Sequence, residues 1–236
     1  LQYLGGKSRI SKQIAEIINS NKRESFVSLF CGACSIESLV EIDNKTLNDS
    51  HPYLISMLID LQNGRDFPEN ISEEEYKQIK NNLDEDKGLS GFVGFGCSFG
   101  GKWWGGYARQ KKGLNYALTA KRSLLKKLKG IKNAKITNRD YKNVEVLDNS
   151  LVYCDPPYAG TTSYSNSKEF NHDEFWDYCR ELSKNNVVFI SELSAPEDFT
   201  SIWAKDFTRN LDANVVFNSV EKLFVHKTNI NKIVIL

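Results

Sequence analysis

The sequence has no run of about 18 or more apolar residues, the length a membrane-crossing helix needs, so no transmembrane segment is expected. Its opening LQYLGGKSRI lacks both the apolar core and the small-residue cleavage site of a secretory leader, which points to the cytoplasm. The chain starts at Leu1 rather than at a methionine, and a few trimmed N-terminal residues are expected. Cysteine is sparse and odd in number: the five at positions 31, 34, 97, 154 and 179 fit no disulfide framework, so reduced thiols are expected. Cys31 and Cys34 form a C-x-x-C, yet no second pair follows at zinc-binding spacing and no thioredoxin-like context surrounds it. Histidine is scarcer still; His51, His172 and His226 stand apart, without the spacing of metal ligands or of a catalytic base. No metal is therefore expected. The dinucleotide fingerprint G-x-G-x-x-G is missing as well.

Acid is missing locally. Between Lys87 and Arg139 there are thirteen Lys or Arg and no Asp or Glu, so the formal net charge of +1 conceals a cationic segment on a remainder of 18 basic and 30 acidic residues. A solvated helix accounts for part of this: AKRSLLKKLKGIKNAK places Leu118, Leu124, Leu125, Leu128 and Ile131 near one side, with lysines around the other. The stretch before it, SFGGKWWGGYARQKKG, interleaves Trp103, Trp104 and Tyr107 with Lys102, Arg109, Lys111 and Lys112 among glycines. Aromatic rings beside cations in a glycine-rich loop suit phosphate contact combined with base stacking. Core aromatics and an anionic protein partner are the competing readings.

The 236 residues suffice for one α/β domain with an inserted subdomain. Helical spacing is visible in SRISKQIAEIINS and HPYLISMLIDLQN, and Ser72 and Glu75 have capping-box spacing ahead of a further helix. Short β-prone runs, SFVSLF, KTLND, AKITN, SLVYCD and NVVFISEL, alternate with these and with a helix near HDEFWDYCRELS. Two last runs, around FTRNL and EKLFVHK, close the chain as an antiparallel hairpin on a mostly parallel sheet. Trp176 and Trp203 sit in helical patterns and are expected in the core; Ser191 and Glu192, at a strand end, are expected to line a crevice.

In such sheets ligands bind beyond the carboxyl ends of the strands. There SLVYC is followed by Asp155, Pro156, Pro157 and Tyr158, where two stiff prolines aim a carboxylate, a carbonyl and a ring in fixed directions. A second strand end, SFVSLFCGACS, runs into a small-residue turn and an expected helix, as where backbone approaches a nucleotide closely. Asp49, ending KTLND, stands where a ribose hydroxyl is commonly held.

Taken in order, YLGGK, FCGACS, LND, NRDY, DPPY and EKLFVH resemble the Dam-like (D12 class) DNA adenine-N6 methyltransferases, especially bacteriophage and prophage members. The resemblance spans Tyr3 to about His226. It implies an α/β, Rossmann-like S-adenosylmethionine-dependent methyltransferase fold, with residues 1–63 and 131–236 as the catalytic domain and 64–130 as an inserted, mainly helical target-recognition domain. Tyr3, Gly5, Gly6 and Lys7 match the motif that helps enclose S-adenosylmethionine, with Lys7 reaching towards the catalytic tetrapeptide. Phe30, Gly32 and Ala33 match the cofactor turn, Asp49 the acid on the ribose, and Asp140 with Tyr141 the contact to the cofactor's adenine. Asp155, Pro156 and Tyr158 match the catalytic motif, Asp155 also bordering the cofactor. Lys102, Trp103, Arg109, Lys111 and Lys112 become the candidates for contact with double-stranded DNA. Cys34 departs from the pattern, since the family commonly has glycine there.

The implied chemistry suits these residues. A carboxylate at Asp155 and the Pro156 carbonyl accept from the two amino hydrogens of an otherwise weakly nucleophilic N6, while Tyr158 offers a face to a base rotated out of the duplex. The expected cellular place is the cytoplasm of a bacterial host, and monomer and homodimer stay open. RNA or cytosine-N4 methylation on the same fold, and a non-catalytic nucleic-acid-binding protein, are the alternatives.

Overall fold

The computed structural model describes residues 3, 5–109, 114–158, 170–212 and 215–236, and of 207–212 and 215–219 the backbone alone. Among these, seven strands form one sheet: β1 Ser25–Ser28, β2 Lys45–Asn48, β3 Lys135–Thr137, β4 Ser150–Cys154, β5 Val187–Glu192, β6 Phe199–Asp212 and β7 Val215–His226. The order is β3-β2-β1-β4-β5-β7-β6. The first five lie parallel, and β7 runs antiparallel to both β5 and β6, as the hairpin expectation requires. This is the Rossmann-like methyltransferase arrangement. Chain order reverses between β1 and β4, so the topological switch point lies at their paired carboxyl ends, where Ser28 sits opposite Tyr153.

The strands are buried along their whole length in β1, β4 and β5, because helices cover both faces of a parallel sheet. The strand period of two sorts their side chains. Phe26, Leu151, Tyr153, Phe189 and Val225 fill one core, and Val27, Val152, Cys154, Val188, Ile190 and Phe224 fill the other.

The larger core is closed by α1 Ser11–Ser20, α2 Pro52–Gln62, α4 Lys87–Gly96 and α5 Tyr116–Ile131; α6 His172–Asn185 closes the other. Helix α3, Glu73–Asn81, starts in the expected capping box: the Glu75 N–H donates to Ser72 Oγ at 3.1 Å and the Ser72 N–H to Glu75 Oε2 at 2.7 Å. Helix α4 has no counterpart in the sequence reading, since four glycines in KGLSGFVGFG hide its periodicity. The glycines allow contact instead. A Cβ at Gly91 would lie 2.1 Å from the Tyr53 carbonyl oxygen, so α4 packs backbone to backbone on α2.

Three other expectations change. The turn after β1 leads only into a 3-10 turn, Glu37–Leu39, not a full helix. Trp203 lies in strand β6, half-buried, because the hairpin extends well beyond the two short runs seen in the sequence. In α5 the buried face is Ala117, Ala120, Leu124 and Ile131, whereas Leu125 is exposed. All five cysteines are free and buried, and no described helix is long and apolar enough to cross a membrane.

The basic helix is fastened to the sheet. Lys127 Nζ donates to the Ala33 carbonyl at 2.5 Å and to Ser35 Oγ at 3.1 Å, while Lys45 Nζ donates to the Gly130 carbonyl at 2.7 Å. A Cβ at Gly130 would fall 1.9 Å from the Ser38 carbonyl oxygen, which leaves no room for a side chain.

Candidate active site

Asp155 follows directly on β4, at the switch point, with Pro156 buried, Pro157 exposed and Tyr158 half-buried. The missing proline N–H groups and fixed φ stop the strand there and stiffen its exit. Lys7 enters from the other end of the chain. A turn closed by the Gly6 N–H donating to the Tyr3 carbonyl at 2.9 Å, with Gly5 at φ +79°, brings Lys7 under the sheet edge just before α1. There its ammonium meets Asp155 Oδ1 at 2.9 Å, with only 8% of its side chain exposed.

A residue that the sequence reading did not single out completes this cluster. Glu221, on β7 and buried, accepts from the Tyr158 hydroxyl at 2.6 Å and lies 3.8 Å from Lys7 Nζ. The same ammonium sits 4.4 Å from the centroid of the Tyr158 ring. Burial raises the Asp155 carboxyl above the usual aspartate range, Lys7 pulls it back, and Glu221 pushes it up again. Tyr158 is held protonated, first by burial and then by Asp155 and Glu221, so its hydroxyl serves as a donor.

The turn after β1 is built around the ends of β2 and β3. Buried Asn48 ties them together: its Nδ2 donates to the carbonyls of Leu29 at 3.1 Å and Arg139 at 3.0 Å, and its Oδ1 accepts from Thr137 Oγ1 at 2.9 Å and the Arg139 N–H at 3.0 Å. Asp49, next in line, accepts from the Gly32 N–H at 3.0 Å and the His51 N–H at 2.9 Å. Tyr3 covers Gly32 so closely that a Cβ there would lie 3.1 Å from its ring. Gly32 has φ +48° and Cys34 φ +53°, so the cysteine occupies left-handed backbone that favours glycine. That is the physical content of the departure noted in the sequence.

Phe30 and Tyr141 meet with ring centroids 5.3 Å apart, and Phe170 packs on both. The Tyr141 hydroxyl is buried without a hydrogen-bond partner among the described residues. Asp140 is exposed, its carboxylate accepting from the Lys142 N–H at 3.0 Å. Ala33 is buried, its carbonyl held by Lys127.

The candidates in the basic segment are arranged differently from a free loop. Trp103 packs between His51, at 4.5 Å, Phe95, at 4.7 Å, and Tyr53, at 5.2 Å, and Phe95 in turn touches Tyr3. Trp104 is buried and Tyr107 donates its hydroxyl to the Ile71 carbonyl, so these rings are largely structural. Arg109 forms a two-pronged pair with Glu73 at 3.0 and 3.1 Å. Lys102 is exposed. Lys111 and Lys112 lie outside the described residues. The histidines behave as expected for structural residues: His51 caps α2, accepting from the Leu54 N–H, and His226 caps a C-terminal 3-10 turn.

Glu221 opens EKLFVH, one of the motifs that carry the resemblance, but its residue type and strand step with Leu223 and Val225 assigned it no role. Lys127 left no trace, because it is one lysine among many in α5.

Comparison with curated proteins finds no significant match. Among solved structures, a protein of Haemophilus influenzae assigned as a methylase shares 14% identity at a TM-score of 0.34, covering 93% of this chain and 95% of that one. TYW2 of M. jannaschii, in complex with AdoMet, shares 11% at a TM-score of 0.34, covering 94% and 77%. These likenesses are too distant to carry an argument. The family match is direct: the D12 class N6 adenine-specific DNA methyltransferase family matches residues 3–89 and 102–193, which include Lys7, the turn at Gly32, Asp49 and the Asp155 tetrapeptide. The chain therefore belongs to the D12 class of N6 adenine-specific DNA methyltransferases.

Proposed function

We propose that the protein methylates N6 of an adenine rotated out of double-stranded DNA, using S-adenosylmethionine and leaving S-adenosylhomocysteine. The observation that carries this reading is the placement of Asp155 at the switch point, paired with Lys7 and followed by Tyr158. Family membership supports the choice of adenine in DNA.

The residues at the strand ends fit the cofactor. The Asp49 carboxylate accepts from the backbone N–H groups of Gly32, His51 and Ser50 and, with about four lone-pair sites, retains capacity for a ribose hydroxyl. The Tyr141 hydroxyl, without a partner among the described residues, and the ring of Phe30 are the groups that would hold the cofactor's flat heterocycle. When bound, S-adenosylmethionine supplies an electrophilic methyl group on a sulfonium.

The chain's own residues do the rest. Asp155 accepts one amino hydrogen of the adenine and the Pro156 carbonyl accepts the other, which draws the N6 lone pair out of the ring and orients it for in-line attack. Lys7 keeps Asp155 ionised in a buried setting that would otherwise favour its protonated form. Tyr158 presents its face to the base, and the buried cluster keeps water from competing. Lys102, Arg109, Lys111 and Lys112 supply phosphate contacts, with residues 64–130 as the recognition region. The cytoplasm, where DNA and cofactor are both present, is the proposed setting.

The test incubates the protein with S-adenosylmethionine and unmethylated plasmid, then identifies modified nucleosides by mass spectrometry beside an Asp155→Ala control. N6-methyladenine that vanishes in the control supports the reading. N4-methylcytosine, or modification of RNA alone, replaces the substrate; no modification with no cofactor binding defeats the enzyme reading.

A further inference from the structure

Glu221 lies beyond the two segments that match the family, on the strand antiparallel to β5. Its neighbours in strand step, Leu223 and Val225, point into the larger core and are fully buried. An acid on that face is 6% exposed and loses most of its hydration, a cost that an apolar residue would avoid. Among the described residues, the Tyr158 hydroxyl at 2.6 Å and the Lys7 ammonium at 3.8 Å offset part of this cost. Both partners belong to the candidate catalytic cluster, and a purely structural acid has no need of either.

We propose that Glu221 is a positioning residue for methyl transfer, acting through Tyr158 and Lys7. The proposal rests on the N6-adenine reading above. Pro156 and Pro157 fix the near end of the Tyr158 backbone, but the ring can still swing about its side-chain bonds. The hydrogen bond to Glu221 anchors its far end and so fixes where the ring stands against which the base is to lie. Lys7, between Asp155 and Glu221, is held by both, so its charge is divided between the group that activates the amine and the group that orients the ring.

The two roles predict a signature that simple stabilisation does not. Asp155 faces Lys7, Glu221 and Tyr158 directly, with Asp49, Glu37 and Tyr153 in electrostatic range. Removing the Glu221 charge relieves repulsion on Asp155 and takes away the acid that competes with it for Lys7. The acid limb of the kcat profile then moves to lower pH even as kcat at its plateau falls.

The experiment compares wild type, Glu221→Gln, Tyr158→Phe and the double variant on a DNA substrate, with calorimetric binding of S-adenosylmethionine and the thermal midpoint as checks of integrity. The expected result for Glu221→Gln is a plateau kcat lower by about 10- to 100-fold, cofactor affinity within about twofold of wild type, and an acid limb displaced downwards. In the double variant the loss is no greater than in Tyr158→Phe alone, because one contact is removed twice. Should Glu221→Gln not fold, Glu221→Asp, which keeps the charge but shortens the reach, is expected to keep the acid limb and lose plateau kcat. Wild-type methylation of adenine with a Glu221→Gln variant of unchanged kcat and unchanged acid limb overturns this proposal alone. A wild type that leaves DNA unmodified overturns the substrate reading and the proposal with it.

Discussion

Lys7 and Asp155, from opposite halves of the chain, meet at 2.9 Å past the carboxyl end of β4, and this pair opposes the rise that burial imposes on the pKa of the proposed catalytic acid. Burial alone would favour the neutral acid, which has a hydrogen to donate where an acceptor is needed.

Lys7→Met therefore raises the Asp155 pKa further. On the acid side, kcat is expected to be limited by ionised Asp155, so the limb moves up by about one pH unit or more, each unit being tenfold in rate. A pH–rate profile checks this. An unmoved limb would show that Asp155 need not be ionised.

Glu37 lies buried at the start of the 3-10 turn that follows β1, where it accepts from Ser28 Oγ at 2.9 Å and from the Ile36 N–H at 3.2 Å. Burial raises its pKa from 4.5 to about 7, partly offset by these bonds and by Lys127. The folded state thus binds this proton more tightly than the unfolded one. The contribution to stability is complete below about pH 4.5 and is lost as pH rises through about 7. Glu37→Gln keeps both bonds, its amide oxygen accepting from Ile36 and its NH2 donating to Ser28. It is expected to flatten the pH dependence and to stabilise the protein at pH 8 by up to roughly 3 kcal/mol. Urea midpoints at pH 5 and pH 8 measure the difference.

Gly130 gives a prediction in which two principles oppose each other. Helix propensity favours alanine by about 1 kcal/mol, but the added Cβ would sit 1.9 Å from the Ser38 carbonyl oxygen. Close packing wins, because backbone on both sides must move. Gly130→Ala is expected to destabilise the fold by about 2 kcal/mol or more and to weaken cofactor binding through the displaced Lys127–Ala33 bond. Thermal melts and calorimetry read both, and a raised melting temperature would contradict the geometry.

Lys102 and Arg109 are both exposed, but Arg109 is paired with Glu73. Lys102→Ala is expected to weaken DNA binding to a similar degree on all sequences and to reduce the salt slope by about 1. Binding isotherms over a range of salt concentrations decide, and an unchanged slope removes Lys102 from the phosphate contacts.

Much of the frame was legible in the sequence, because local chemistry sufficed. The strands announced themselves as apolar runs ending in acids or small residues, and the Ser72 capping box needs only four consecutive residues to close. DPPY marks its own strand end, since proline cannot continue a central strand. What depends on remote neighbours was not legible. Helix α4 hides behind glycines whose purpose is contact with Tyr53 and Trp103; of the tryptophans that read as a stacking loop, Trp103 is absorbed by His51, Tyr53 and Phe95 and Trp104 by Tyr76.

By itself, then, the sequence determined the alternation of elements, the acid at the switch point and the family that its motifs resemble. Only the tertiary structure decided which charges face one another. Lys7, Asp155, Tyr158 and Glu221 come from three widely separated stretches, brought together by the turn before α1, the parallel register of β1 and β4 and the antiparallel return of β7. The physical reason is one of range: hydrophobic period and turn chemistry act over a few residues, whereas desolvation and ion pairing depend on what the folded chain places within a few ångströms.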